Sequence, residues 1–111
     1  MADTVNNRIT AISHPFDRMS ADGPGMTVSS GGSLNAPLGL VVVPDGGHLL
    51  TVNGGDGFIT EISPAGQQVA KKLIDSSGSP PGAGALFGLV FDPAHGIYFV
   101  DDATNTLNLL H

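Results

Sequence analysis

The sequence predicts an all-β chain made of repeated four-stranded antiparallel sheets, and three observations carry that reading. Asp3-Thr-Val-Asn-Asn-Arg-Ile9-Thr-Ala-Ile12 aligns without a gap with Asn53-Gly-Gly-Asp-Gly-Phe-Ile59-Thr-Glu-Ile62 and with Asp101-Asp-Ala-Thr-Asn-Thr-Leu107-Asn-Leu-Leu110. Each copy sets an Asp or Asn six residues before an aliphatic, with a second aliphatic three further on, and the copies start 50 and then 48 residues apart. A period in that range marks propellers and arrays. The second observation is a wider match between the last two copies: Gly39 pairs with Gly88, Leu40 with Leu89 and Pro44 with Pro93, all 49 apart, and Val52 pairs with Val100 at 48. The third is the punctuation of short apolar runs by Pro and Gly, of which the chain has 8 and 16. Together they predict a partial β-propeller of about two to three four-stranded antiparallel blades, open at both ends.

Taken in order, with strands lettered a to d from the axis outward, the chain reads as c-d, then a-b-c-d, then a-b-c. In the first unit, strand c runs through Ile9 and Ile12 and strand d falls within residues 26–30, with no segment for a or b. Residues 38–43 and 86–91 are apolar runs bounded by Pro and Gly, the pattern of a strand buried on both faces, and become the two a strands. Pro44-Asp-Gly-Gly47 and Pro93-Ala-His-Gly96 supply turns, Pro presetting φ and Gly allowing it to be positive. Residues 48–52 and 97–100 follow as b strands. Residues 58–63 and 106–110 alternate apolar with polar and become c strands. Pro64-Ala-Gly66 turns the chain into a d strand over 69–74, and the Ser/Pro/Gly segment 75–84 returns it to the next unit. Lys71 and Lys72 invite a helix over 67–74, but eight uncapped residues make a poor one. The predicted organisation is therefore 1–34 for the end of a first blade and its connection, 35–84 for a complete blade, and 85–111 for an incomplete last blade.

Met1-Ala-Asp-Thr-Val-Asn-Asn-Arg-Ile9 resembles the NHL-repeat consensus, in which a strand ending in Val-Ala-Asp is followed by Thr-Gly-Asn-Asn-Arg-Ile. Pro37-Leu-Gly-Leu-Val-Val-Val-Pro-Asp-Gly46 resembles the start of such a unit. Met1 stands where the strand-ending Val would be, and Gly54-Gly-Asp-Gly-Phe58 replaces Thr-Gly-Asn-Asn-Arg in the second unit. The resemblance implies the C-terminal part of a propeller, of six blades in that family. It also implies two kinds of function, because the family includes binding scaffolds as well as metal-dependent lyases and hydrolases.

Composition excludes several classes. Ten acidic and four basic residues leave a net charge of −6, which argues against nucleic acid and anionic membrane as partners. Without cysteine there is no disulfide framework, thiol nucleophile or zinc-thiolate site. The N-terminus has no signal segment and no run reaches membrane-spanning length, so the chain as written is expected in the cytoplasm; a longer parent can carry an export signal upstream. A hydrophobic content of 41% excludes a disordered chain.

Two groups of residues carry potential chemistry. Asp3, Asn53 and Asp101 recur at the ends of b strands, with Asp56 and Asp102 close by. Such carboxylates can gather calcium or another divalent cation through oxygen ligands. The competing structural reading, favoured by their recurrence in every unit, is that they bond nearby backbone amides and shape the turn. Arg8 can meet an anionic ligand or a neighbouring carboxylate, although Phe58 and Thr106 occupy its place in the other units. His48 and His95 lie in or beside equivalent a–b turns, with His14 assigned to the same face. As metal ligands they are weak candidates, since a metal site needs three or four placed donors. The inner strands offer nothing ionisable before Asp92. The expected function is thus a binding or scaffolding module, with no catalytic residues and no cofactor, whose open edge strands seek missing blades or copies of the chain. A metal-dependent propeller lyase or hydrolase is the alternative.

Overall fold

The computed structural model describes residues 1–12 and 25–110. His14 and His111 lie outside the described residues. Ten strands and no helix are present among the described residues: β1 (Ala2–Asp3), β2 (Arg8–Ala11), β3 (Met26–Ser30), β4 (Pro37–Val42), β5 (Leu49–Asn53), β6 (Phe58–Ile62), β7 (Gln68–Leu73), β8 (Leu86–Asp92), β9 (Gly96–Asp101) and β10 (Thr106–Leu110). They form three antiparallel sheets in simple sequential order, β1-β2-β3, β4-β5-β6-β7 and β8-β9-β10. None closes into a barrel, and the three stand as open, propeller-like blades. Within 67–74 the chain forms the strand β7, not a helix: Lys71 and Lys72 pair across to Thr60 and Ile59.

One expectation is corrected. The first sheet does contain part of a b strand, because Ala2 pairs with Ile9 and Asp3 with Arg8. Met1 extends that ladder, its carbonyl accepting from the Thr10 N–H at 2.9 Å and its ammonium donating to the Thr10 carbonyl at 2.8 Å. Two paired residues are too short to show an apolar alternation, so the sequence pattern missed them. The repeat alignment already placed them beside Val52 and Asn53, which end β5.

The turns that join the b and c strands show how the repeat is encoded. Asn7, Gly57 and Asn105 occupy the same repeat position, and all three have positive φ, at 51°, 74° and 55°. Glycine takes this region freely and asparagine tolerates it better than other side chains. Different residues thus preserve one backbone path.

Register decides which face of each sheet is buried. In the middle sheet Leu49 pairs with Ile62, and Val52 with Ile59. Leu49, Ile62 and Leu40 face the first sheet, where they pack with Ile9, Leu34, Ala2 and Val28. Val52, Ile59, Leu38 and Leu50 face the last sheet and pack with Ala85, Leu86, Phe99, Leu89 and Leu110. Each fully buried aliphatic contributes about 1.5–3 kcal/mol relative to exposure, so these two inter-sheet layers hold the fold. β4 and β8 meet closely at their glycines. A Cβ on Gly39 would lie 2.5 Å from the Phe87 carbonyl oxygen and 3.1 Å from the Gly88 Cα. Both strands are irregular there, between Pro37 and Leu40 and between Leu86 and Leu89, as expected where glycine admits another backbone.

Candidate functional site

The recurring Asp and Asn residues sit at the turns between b and c strands, and the structure gives each a local set of partners. In the first sheet, Asp3 Oδ2 accepts from Arg8 Nε at 2.7 Å and from Asn6 Nδ2 at 3.0 Å, and Oδ1 accepts from the Asn6 amide at 3.4 Å. Arg8 also donates through Nη1 to Thr27 Oγ1 at 2.8 Å. Hydrogen bonds from Asn6 and then Arg8 hold the Asp3 carboxyl below the usual carboxylate range. Arg8 is therefore committed to its neighbouring carboxylate and to β3.

Asn53 is completely buried. Its Nδ2 donates to the Ser33 carbonyl at 2.7 Å and to Asp56 Oδ1 at 3.0 Å. Asp56 Oδ1 also accepts from the Phe58 N–H at 3.2 Å. In the last sheet Asp101 Oδ1 accepts from the Ala103 and Thr104 amides at 3.1 and 3.3 Å. Asp102 is exposed, and its backbone N–H reaches the Ala85 carbonyl at 2.7 Å. The side chain of Asp101 also meets that of Asp75, whose carboxyl is held low chiefly by the Ser77 hydroxyl and amide. Each set stays within its own turn and the connection beside it. N–H groups engage both Asp3 carboxylate oxygens, Asp56 Oδ1 and Asp101 Oδ1, while Asn53 Oδ1 is buried without a hydrogen-bond partner among the described residues. Among the described residues no three His, Asp, Glu or Cys side chains gather into a metal-binding group.

His48 and His95 do lie at equivalent hairpin turns, and each has a carboxylate partner that sequence reasoning missed. His48 Nδ1 is 2.6 Å from Glu61 Oε1 on β6, both about one-third exposed. They border a recess of about 330 Å³ with Val43, Asp45, Gly46 and Leu50. His95 Nδ1 is 2.7 Å from Asp92 Oδ2, and that contact, followed by the Ala94 amide, holds the Asp92 carboxyl low. The Asp92-Pro-Ala-His95 spacing made the second pair readable in the sequence. Glu61 was not, because only the β5–β6 register brings it beside residue 48. A carboxylate can orient an imidazole for ligation or proton transfer, but each pair stands alone as a dyad on an open surface.

The three lowered carboxyls make acid sensitivity testable. A folded pKa below the unfolded one stabilises above the unfolded value, about 3.9 for Asp, and that stability is lost as pH falls through the folded value. Asp3→Asn is expected to lower the urea midpoint at pH 6 and to lower it by less at pH 3. A gap that stays constant between those two pH values contradicts the assignment.

No family model, curated protein or solved structure matches this chain.

Proposed function

We propose that this chain is part of an NHL-type β-propeller and works as a binding or scaffolding module without a catalytic centre of its own. The observation that carries the reading is the contrast between equivalent positions of the middle and last sheets. Val52 is fully buried and its counterpart Val100 is 41% exposed; Ile59 is 4% exposed and its counterpart Leu107 is 69% exposed. The last sheet thus presents to solvent the apolar face that the middle sheet buries against a neighbour. Contiguous exposed apolar surface on a folded domain marks an interaction site, and repeat arrays use such faces to receive the next unit. The inner strands β4 and β8 add no ionisable group before Asp92, which supports binding over chemistry along that line.

The rival reading, a metal-dependent lyase or hydrolase, draws on the two histidine–carboxylate pairs. Metal analysis after dialysis against calcium or zinc, joined to a lactone- and ester-hydrolysis screen, separates the two. The scaffold reading expects neither stoichiometric metal nor turnover. Stoichiometric metal that disappears in His48→Ala, His95→Ala or Asp101→Ala, with the circular dichroism spectrum unchanged, overturns it.

A further inference from the structure

Of the six asparagines in the chain, Asn53 alone precedes a glycine, and that dipeptide carries a chemistry of its own. In an open chain the Gly54 amide nitrogen, unhindered by a Cβ, can attack the side-chain carbonyl carbon of Asn53. The new N–Cγ bond closes a five-membered ring, the Cγ–Nδ2 bond breaks, and ammonia leaves with the Gly54 amide proton. Water then adds across either C–N bond of the cyclic imide, leaving aspartate or an isoaspartyl link.

The folded chain opposes each of these steps. The Gly54 N–H donates to the Ala36 carbonyl at 2.8 Å, and the Gly54 carbonyl accepts from the Gly84 N–H at 2.7 Å. The connections on either side of the middle sheet thus hold the attacking group in place. Negative charge gathers on Asn53 Oδ1 as the ring closes, and such charge is stabilised only by donors aimed at it. That oxygen is buried and meets no donor among the described residues. Nδ2 must take up a proton to leave, yet it gives its own two to the Ser33 carbonyl and to Asp56 Oδ1. Complete burial of Asn53 keeps out the water that opens the imide.

We propose that Asn53-Gly54 is a site of spontaneous deamidation that the fold keeps closed, so that each unfolding episode leaves a permanent mark and a weakened chain. Neither product fits the native site. Aspartate sets a buried carboxylate against the Ser33 carbonyl and Asp56, which is costly without compensating donors. Isoaspartate inserts an extra backbone atom at the end of β5, where Asn53 pairs with Pro37. Freeing the Gly54 nitrogen means lifting the connection at Ala36 away from the middle sheet, so modification follows opening of the fold. The inference rests on the fold alone and is independent of the scaffold reading.

Incubating the whole chain at mildly alkaline pH, in buffer and in urea, tests the proposal, with peptide mass spectrometry reading the conversion of amide to acid. In urea Asn53 is expected to convert ahead of Asn6, Asn7, Asn35, Asn105 and Asn108. Gly54→Ala is expected to slow it there, because a Cβ hinders the attacking nitrogen. In buffer the wild-type rate is expected to fall by a factor of about 1,000 or more, the inverse of the unfolded fraction of a marginally stable domain. Chains deamidated in urea and returned to buffer are expected to show a lower urea midpoint than chains passed briefly through urea. Comparable rates in buffer and in urea overturn the proposal. So does an Asn53 that fails to lead the other asparagines in urea, or a deamidated chain with the wild-type midpoint.

Discussion

Gly39→Ala should destabilise the fold by about 3 kcal/mol, the upper part of the range for overpacked cores, while Gly88→Ala should change stability by no more than about 0.5 kcal/mol. The residues occupy the same repeat position, and neither has a positive φ, so alanine is conformationally acceptable at both. What differs is the neighbour. A Cβ at Gly39 would stand 2.5 Å from the Phe87 carbonyl oxygen and 2.8 Å from Leu89 Cδ2. The first contact is with backbone, which yields only by separating β4 from β8 and opening the layer around Val52, Ile59 and Leu86. Gly88 has no such neighbour within the chain, and removing the freedom of a glycine in the unfolded state can even stabilise slightly. A loss of that size corresponds to a fall in melting temperature of roughly 12–24 °C for a domain of this length, at about 4–8 °C per kcal/mol. Thermal melts of the two variants against wild type provide the comparison. Equal effects at both sites would show that β4 and β8 do not cross as described.

Asn53→Asp is the second large effect, and it is instructive because aspartate is the residue at the same position in the other two units, Asp3 and Asp101. The Asn53 amide is buried and donates twice, to the Ser33 carbonyl and to Asp56 Oδ1. A carboxylate there would lose both donors, place negative charge against a carbonyl oxygen and a second carboxylate, and do so without water. The penalty for leaving a buried group unsatisfied is about 1–3 kcal/mol and larger for a charge, so a loss of about 3 kcal/mol at pH 7 is expected. The sign with pH is opposite to that at Asp3. Burial and the neighbouring carboxylate raise the folded pKa of the introduced group above its unfolded value, so its destabilisation is full above the folded pKa and shrinks as pH falls through it. Urea midpoints of N53D and wild type should therefore converge on acidification. Asp3 and Asp101 tolerate the charge because each accepts from amide donors in its own turn.

The repeat was legible in the sequence because it rests on local rules. An Asp or Asn at the end of a b strand, a residue able to take positive φ four positions later, and an aliphatic two beyond that are dictated by turn geometry and by the two-residue period of a strand. Those rules placed the strands of the middle and last sheets to within a residue or two, and they predicted that Asp3, Asn53 and Asp101 would bond to backbone amides. Asp3 and Asp101 do, whereas Asn53 Oδ1 meets no donor among the described residues and the residue bonds through Nδ2 instead. The same rules also separated the c strand at Phe58–Ile62 from its neighbours without any tertiary information.

What only the tertiary structure decided is which equivalent residue is covered. Val52 and Val100 are the same residue in the same register, and nothing local distinguishes them. The difference lies in the adjoining sheet, which covers Val52 with residues from 85 to 110 and leaves Val100 bare. The pairing of His48 with Glu61 and the close approach of Gly39 to β8 are settled the same way. Both depend on strands far apart in sequence, and hydrophobic periodicity reports the face a side chain points to but not what lies opposite it. Local chemistry therefore determined the blades, and the packing of one blade on the next determined where the chain keeps a surface to offer.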